Sequence, residues 1–270
     1  MSETVAEHAY ETVVMRRRGA ELRIELNRPD SMNAWNQQLG IDLLAAVERA
    51  SDDDAIRAVV ITGAGRGFSS GADLKAGFDL NSAGRPDVGT TLRERYHPII
   101  TGIRRMRKPV LAAVNGPAVG IGFSLALACD LIIAKASAYF LLAFVNIGLV
   151  PDGGSSLFVP ARIGFARAAE LAMLGERLPA AQALEWGLIN RVVADDAFDG
   201  EVTALAARLA AGPTLSYAAS KHQLNAMLYG HMDDQLELEA TLQQEMADSD
   251  DFVEGVGAFL AKRPPTFGAR

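Results

Sequence analysis

Cysteine is almost absent: Cys129 is the only one in 270 residues, so the chain has no internal disulfide and no cysteine-built metal site. Set between Ala126-Leu-Ala and Leu-Ile-Ile, it reads as a small buried hydrophobe rather than a nucleophile. Long apolar runs are missing too. The longest, Ala138 to Val145, is far too short to span a bilayer, and Asn146 closes it. The opening Met-Ser-Glu-Thr-Val-Ala-Glu is acidic and lacks the apolar core of a signal peptide, which makes the cytoplasm the expected compartment. Positive charge is in deficit. A net charge of -7 argues against broad nucleic-acid binding, so an anionic small ligand would need a local group of cations. No internal repeat is visible, and no residue pattern calls for a metal or a separate cofactor.

What is present is ordinary for a soluble globular enzyme: 49% apolar and 22% charged residues, in a chain long enough to bury a full core. Two strand patterns, 12–16 and 22–26, turn at Gly19; a loop at 27–33 precedes a helix carrying Leu39, Leu43, Leu44 and Val47 at helical spacing. A buried strand follows at 57–62, and this strand–helix–strand order predicts parallel pairing and an α/β fold. Residues 76–95, rich in Gly, Ser, Asn and Pro, read as a loop over a site, with helix signals from Leu92 to Met106. Residues 138–145 read as a strand or extended wall, and 188–193 as a short strand. Helices are expected at 157–163, 166–174 and 180–186, then from 199 to 260 with a break at Gly212-Pro213. The stripe Leu238, Leu242 and Met246 suggests packing on another subunit.

Two Gly-rich stretches carry the chemistry. In 114–134 an apolar strand breaks through Asn115-Gly-Pro and Gly120-Ile-Gly before a small-residue helix. Glycines at such a turn let backbone N–H groups approach a ligand oxygen, and the helix start adds positive potential. Phosphate and a transient oxyanion both suit that place. The dinucleotide fingerprint Gly-x-Gly-x-x-Gly/Ala fails at Leu125, which disfavours a nicotinamide or flavin. In the other stretch, 63–75, Gly67-Phe-Ser69-Ser-Gly71 fits a nucleophile elbow, and Gly71-Ala72-Asp73 offers a second N–H turn. Gly63 to Arg66 intervene after the strand, and no apolar helix follows, which speaks against a serine hydrolase. Asp152, before Gly153-Gly154, stands at a helix entrance either as an N-cap or as a catalytic acid.

These two stretches, with Leu26-Asn-Arg-Pro29 and Leu188-Ile-Asn-Arg-Val-Val193, resemble the crotonase superfamily of enoyl-CoA hydratases and isomerases, from about Val13 to Phe267. The resemblance implies a spiral of ββα turns over 1–198 and a helical trimerisation region over 199–270, assembled as a homotrimer or hexamer. It implies an acyl-CoA thioester as substrate, with coenzyme A part of that substrate and no other cofactor. The N–H groups of Ala72 and Ile121, the latter after Gly120, would hold the thioester oxygen. The backbone of Ala72, Asp73 and Leu74 would touch the adenine. Arg28, Lys75 and Lys262 would meet phosphates, with Lys262 reaching a neighbouring subunit's site. Two departures matter. The hydratase glutamates are replaced by Ser124 and by Phe144, which would line the acyl pocket, so acid–base activation of water is lost. Asp152 matches the lone acid of Δ3,Δ2-enoyl-CoA isomerases and of ring-opening isomerases of epoxyphenylacetyl-CoA. The expectation is an isomerase; a relative that binds acyl-CoA without hydratase activity is the alternative.

Overall fold

The structure, a computed structural model, describes residues 6–269. Seven strands form the main sheet: β1 (Ala6–Ala9), β2 (Val13–Arg18), β3 (Glu21–Leu26), β4 (Ala58–Gly63), β5 (Val110–Val114), β7 (Leu131–Lys135) and β10 (Arg191–Val193). They lie in the order β1-β2-β3-β4-β5-β7-β10. β1, β2 and β3 are antiparallel; every pairing from β3 onward is parallel. β4 and β5 are buried along their whole length, as parallel strands covered on both faces must be.

A second, three-stranded sheet holds β6 (Ala118–Val119), β8 (Tyr139–Leu141) and β9 (Leu178–Pro179). The helices between are α1 (Gln37–Asp52), α2 (Val88–Thr91), α3 (His97–Arg105), α4 (Ile121–Ala128), α5 (Ser155–Leu174) and α6 (Ala180–Glu185). Thus β5-β6-α4 and β7-β8-α5 repeat one unit, a main-sheet strand, a small-sheet strand and a helix. Isolated bridges extend the small-sheet layer back to earlier turns, pairing Trp35 with Ala72 and Ser69 with Ala118. The chain is therefore an α/β spiral, and its layering brings segments fifty residues apart into register.

Local chemistry explains the elements. Asn36 caps α1, accepting from Leu39 N–H at 2.9 Å, and α1 buries Leu39, Leu43, Ala46, Val47 and Ala50 on one face. Residues 157–174, expected as two helices, are one element, α5, that breaks at Gly164 (φ 78°, ψ 167°). The strand expected over 138–145 stops at Leu141. A 3-10 turn at Phe144–Ile147 follows and closes at Gly148 (φ 74°), whose missing side chain admits the backbone of Asp251 and Phe252. That approach comes from a hundred residues away, which periodicity cannot register. The expected loop of 76–95 ends at Asp87, which caps α2 through Thr90 N–H. α2 runs through a π turn (Leu92–Tyr96) into α3.

Four helices complete the chain: α7 (Phe198–Ala211), α8 (Thr214–Leu228), α9 (Met232–Ala247) and α10 (Asp250–Ala261). The first core lies between the main sheet and α1, α3, α4 and α5. α7 closes a second core on the opposite face, with Phe198, Val202 and Ala206 against Val60, Leu111 and Ile133. Packing thus continues across residue 198, where the helical region was expected to begin. α10 lies on its own chain, with Phe252 edge-on to Phe78 at 5.4 Å and Gly255 against Ile147. No helix among the described residues is long and apolar enough to cross a membrane.

Candidate active site

The layering places the two Gly-rich turns side by side. Phe68 and Ser69 N–H donate to Pro117 O, and Val119 N–H donates to Ser69 O at 2.9 Å. Gly71 (φ 90°) meets Val119 O at 3.0 Å from where a Cβ would stand, so a larger residue fits neither the space nor the backbone. The N–H groups of Ala72 and Ile121 donate to no atom of the protein among the described residues. Two unspent donors therefore follow two adjacent glycines, Gly71 and Gly120. Such a pair suits an oxygen that gains negative charge, each donor contributing about 3 kcal/mol to a transition state.

Ser69 is not an elbow nucleophile. It is fully buried; its Oγ donates to Asn33 O at 2.9 Å and accepts from Gly71 N–H at 3.3 Å. A Cβ at Gly122 would stand 2.5 Å from Ser69 Cβ, so helix α4 starts hard against this serine. Ser69 holds the two turns together, and its hydroxyl hydrogen-bonds to backbone groups and to no side-chain base among the described residues.

Asp152 is 5% exposed and is not a helix cap. The first residue before α5 is Gly154, which has no side chain to cap with. The orphan N–H groups there are instead met from α9: Glu239 accepts from Gly154 N–H at 2.8 Å and Ser156 N–H at 3.1 Å, and the Ser156 hydroxyl also donates to it. The Asp152 carboxyl faces elsewhere. Its Oδ2 accepts from Gln243 Nε2 at 2.6 Å, while Oδ1 is buried without a hydrogen-bond partner. Burial first, then the charge of Glu239, raises its pKa from 3.8 to about 8; the Gln243 hydrogen bond opposes this. Glu239 is itself raised to about 7 by burial.

The Asp152 turn packs on α4. A Cβ at Gly153 would lie 2.5 Å from Ile121 Cδ1 and 2.9 Å from Ser124 Cβ. Ser124 Oγ donates to Asp152 O at 2.7 Å and is otherwise turned to Gly120 O, so it is committed to the backbone. Phe144, 7% exposed, sets its ring 3.8 Å from the space beside Gly120. An apolar ring and a spent hydroxyl thus stand at the two positions where the hydratase pattern has glutamates, while the turn carrying Asp152 packs on Ile121 and Ser124.

Ala72 opens on a cleft of about 330 Å³ lined also by Trp35, Asp73, Phe78, Arg95 and Tyr96. Tyr96 stands edge-on to Trp35 at 4.9 Å, and burial together with the Asp152 charge raises its hydroxyl pKa. Asp73 receives Arg28 at 3.0 Å, and Arg28 also donates to Ala34 O, so this arginine braces the turn. Leu74 is half-buried beside Lys75, which is exposed and without an ionic partner among the described residues. Lys262, exposed at the end of α10 with φ 55°, makes no hydrogen bond or ion pair with any of these. The structure therefore brings Ala72, Asp73, Leu74, Lys75, Arg28, Gly120, Ile121, Phe144 and Asp152 to one region and leaves Lys262 apart. No group of three or more His, Cys, Asp or Glu among the described residues could hold a metal.

Residues 17–270 match the family model described as Enoyl-CoA hydratase/isomerase. The chain belongs to the enoyl-CoA hydratase/isomerase family. It is 46% identical over 247 residues to a probable enoyl-CoA hydratase of Rhodobacter capsulatus, covering 92% of this chain and 94% of that one. It is 40% identical over 246 residues to the 1,2-epoxyphenylacetyl-CoA isomerase of Escherichia coli, covering 91% and 94%. Among solved structures, an enoyl-CoA hydratase of Mycobacterium avium subsp. paratuberculosis superposes with a TM-score of 0.88 at 38% identity, covering 96% of this chain and all of that one. The crotonase fold expected from the motifs is thereby established.

Three site residues lay beyond the sequence reading. Glu239 and Gln243 share a face of α9 with Leu236, Ala240 and Ala247, and that face is the buried one. Of the stripe Leu238, Leu242 and Met246, the two leucines are exposed and Met246 is half-buried. A polar pair at i, i+4 within a small-residue stripe was the available signal. Tyr96 reaches the cleft through a π turn, for which the sequence carries no marker.

Proposed function

We propose that this family member is a CoA-thioester isomerase in which Asp152 is the single proton-carrying group. The thioester oxygen rests on the N–H groups of Ala72 and Ile121. The ionised carboxylate takes the C2 proton, the resulting dienolate spreads its charge to C4 and onto the oxygen, and the carboxyl returns the proton at C4. A 3-enoyl thioester so becomes a 2-enoyl thioester, with no water consumed. Ring-type epoxide or oxepin CoA esters are the alternative substrates of the same site. The observation that carries the reading is the state of Asp152: buried, relieved of capping by Glu239, with Oδ1 unpartnered among the described residues, on a turn whose Gly153 packs against Ile121 and Ser124. Phe144 keeps the space beside Gly120 apolar, and exposed Lys75, next to the Ala72 turn, would meet the anionic part of CoA.

Asp152→Asn is nearly isosteric and cannot accept the proton. It should lower turnover of cis-3-enoyl-CoA or epoxide-type CoA esters by about a hundred-fold or more with KM little changed. Wild-type turnover in that variant would reject the assignment. Assembly as a homotrimer or hexamer belongs to the same proposal. α8 buries only Ala218 and Lys221 and leaves Leu215, Leu224, Met227 and Leu228 exposed.

A further inference from the structure

We infer that Gln243, on helix α9, is a positioning residue that clamps one oxygen of Asp152 and leaves the other, Oδ1, as the oxygen that carries the migrating proton. The inference rests on the isomerase reading above and assigns it a residue outside the spiral core. Gln243 is fully buried, and both ends of its amide are engaged. Val150 N–H donates to Oε1 at 3.3 Å, and Nε2 donates to Asp152 Oδ2 at 2.6 Å. The Val150 N–H can only donate, so it fixes the amide with its NH2 toward Asp152. A donor aimed at Oδ2 disfavours protonation of that oxygen, because a hydroxyl oxygen accepts a hydrogen bond less well than a carboxylate or carbonyl oxygen. Oδ1 has no partner among the described residues, so it is the oxygen on which the proton taken from C2 and released to C4 is preferentially held.

The charged neighbour Glu239, from the same helix, acts in the opposite sense and raises the Asp152 carboxyl, while Tyr96, from the π turn, is itself raised by the Asp152 charge. Gln243 is the neighbour that favours the ionised form, which is the form that abstracts the C2 proton. Its loss therefore has a signature that a purely structural role lacks: the acid limb of the rate profile moves to higher pH.

The test uses the full-length protein and 3-enoyl-CoA, with Gln243→Met (similar length, no donor) measured beside Asp152→Asn. In Gln243→Met the acid limb of kcat/KM should rise by about one pH unit and kcat at pH 7 should fall by about ten-fold, with KM within about two-fold. An unshifted limb, or a change confined to KM, would overturn the positioning role. If Gln243→Met does not fold, Gln243→Glu gives the same reading: its carboxylate faces Asp152 and should raise the limb further, and an unchanged limb there is equally fatal. An inactive Asp152→Asn beside a Gln243 variant of unchanged profile would reject the clamp and leave the isomerase reading standing. A fully active Asp152→Asn would reject the reading itself.

Discussion

At the scale of single residues, the site is built from groups whose ordinary duties are performed by others. Asp152 lies two residues before the Gly154 N-cap of α5, yet Glu239 meets the helix start from another helix, so the aspartate is buried without that compensation. The cost is visible in its ionisation: folded, it titrates near 8 against an ordinary 3.8, and Glu239 near 7 against 4.5. Both are raised acids, so the folded state holds protons that the unfolded chain has released. Their favourable contribution is complete below about pH 4 and is lost as pH rises through 7 to 8. Asp152→Asn cannot ionise. Its melting temperature should exceed that of wild type by a margin that widens from pH 5 to pH 9, about 2–4 °C for each kcal/mol relieved. Melting curves of the two proteins that run parallel across this range would show that Asp152 is not titrating in the fold.

At the scale of elements, the site depends on α4 starting flush against the 63–75 turn. Gly122 permits this, since a Cβ there would stand 2.5 Å from Ser69 Cβ and 2.9 Å from Ser69 O. Neither atom is the end of a flexible chain. Gly122→Ala should destabilise the protein by about 1–3 kcal/mol and lower turnover by shifting the Ile121 N–H, as read by denaturant melts and rates; a neutral variant would show that the turns are not in contact. Much of this layer was legible beforehand. Glycine pairs, an apolar strand before each and a helix after one marked the two N–H turns from local chemistry, while the roles expected of Ala72, Ile121 and Asp152 came from the family resemblance. The rest was not, because long-range contact decided it. The 138–145 segment leaves its strand ahead of the turn where Gly148 meets α10, and α9 turns Leu236, Glu239 and Gln243 inward while Leu238 and Leu242 face out. An apolar stripe marks a face to be buried, but not whether the chain itself or a partner buries it.

At the scale of the molecule, the main sheet and α7 form the frame, the small-sheet layer aligns the two N–H turns, and the last helices return to the site. Leu238 and Leu242 on α9 and Leu224 and Met227 on α8 remain exposed. Light scattering at working concentration should give the mass of three or six chains, and a monomer would contradict the proposed assembly. The chemistry itself is tested by following the proton. A 3-enoyl-CoA carrying deuterium at C2, turned over in ordinary water, should give 2-enoyl-CoA with deuterium at C4, because one buried carboxyl both takes and returns it, and Asp152→Asn should form almost none of this product. Product with only solvent hydrogen at C4, formed as fast by Asp152→Asn as by wild type, would contradict a proton carried by Asp152.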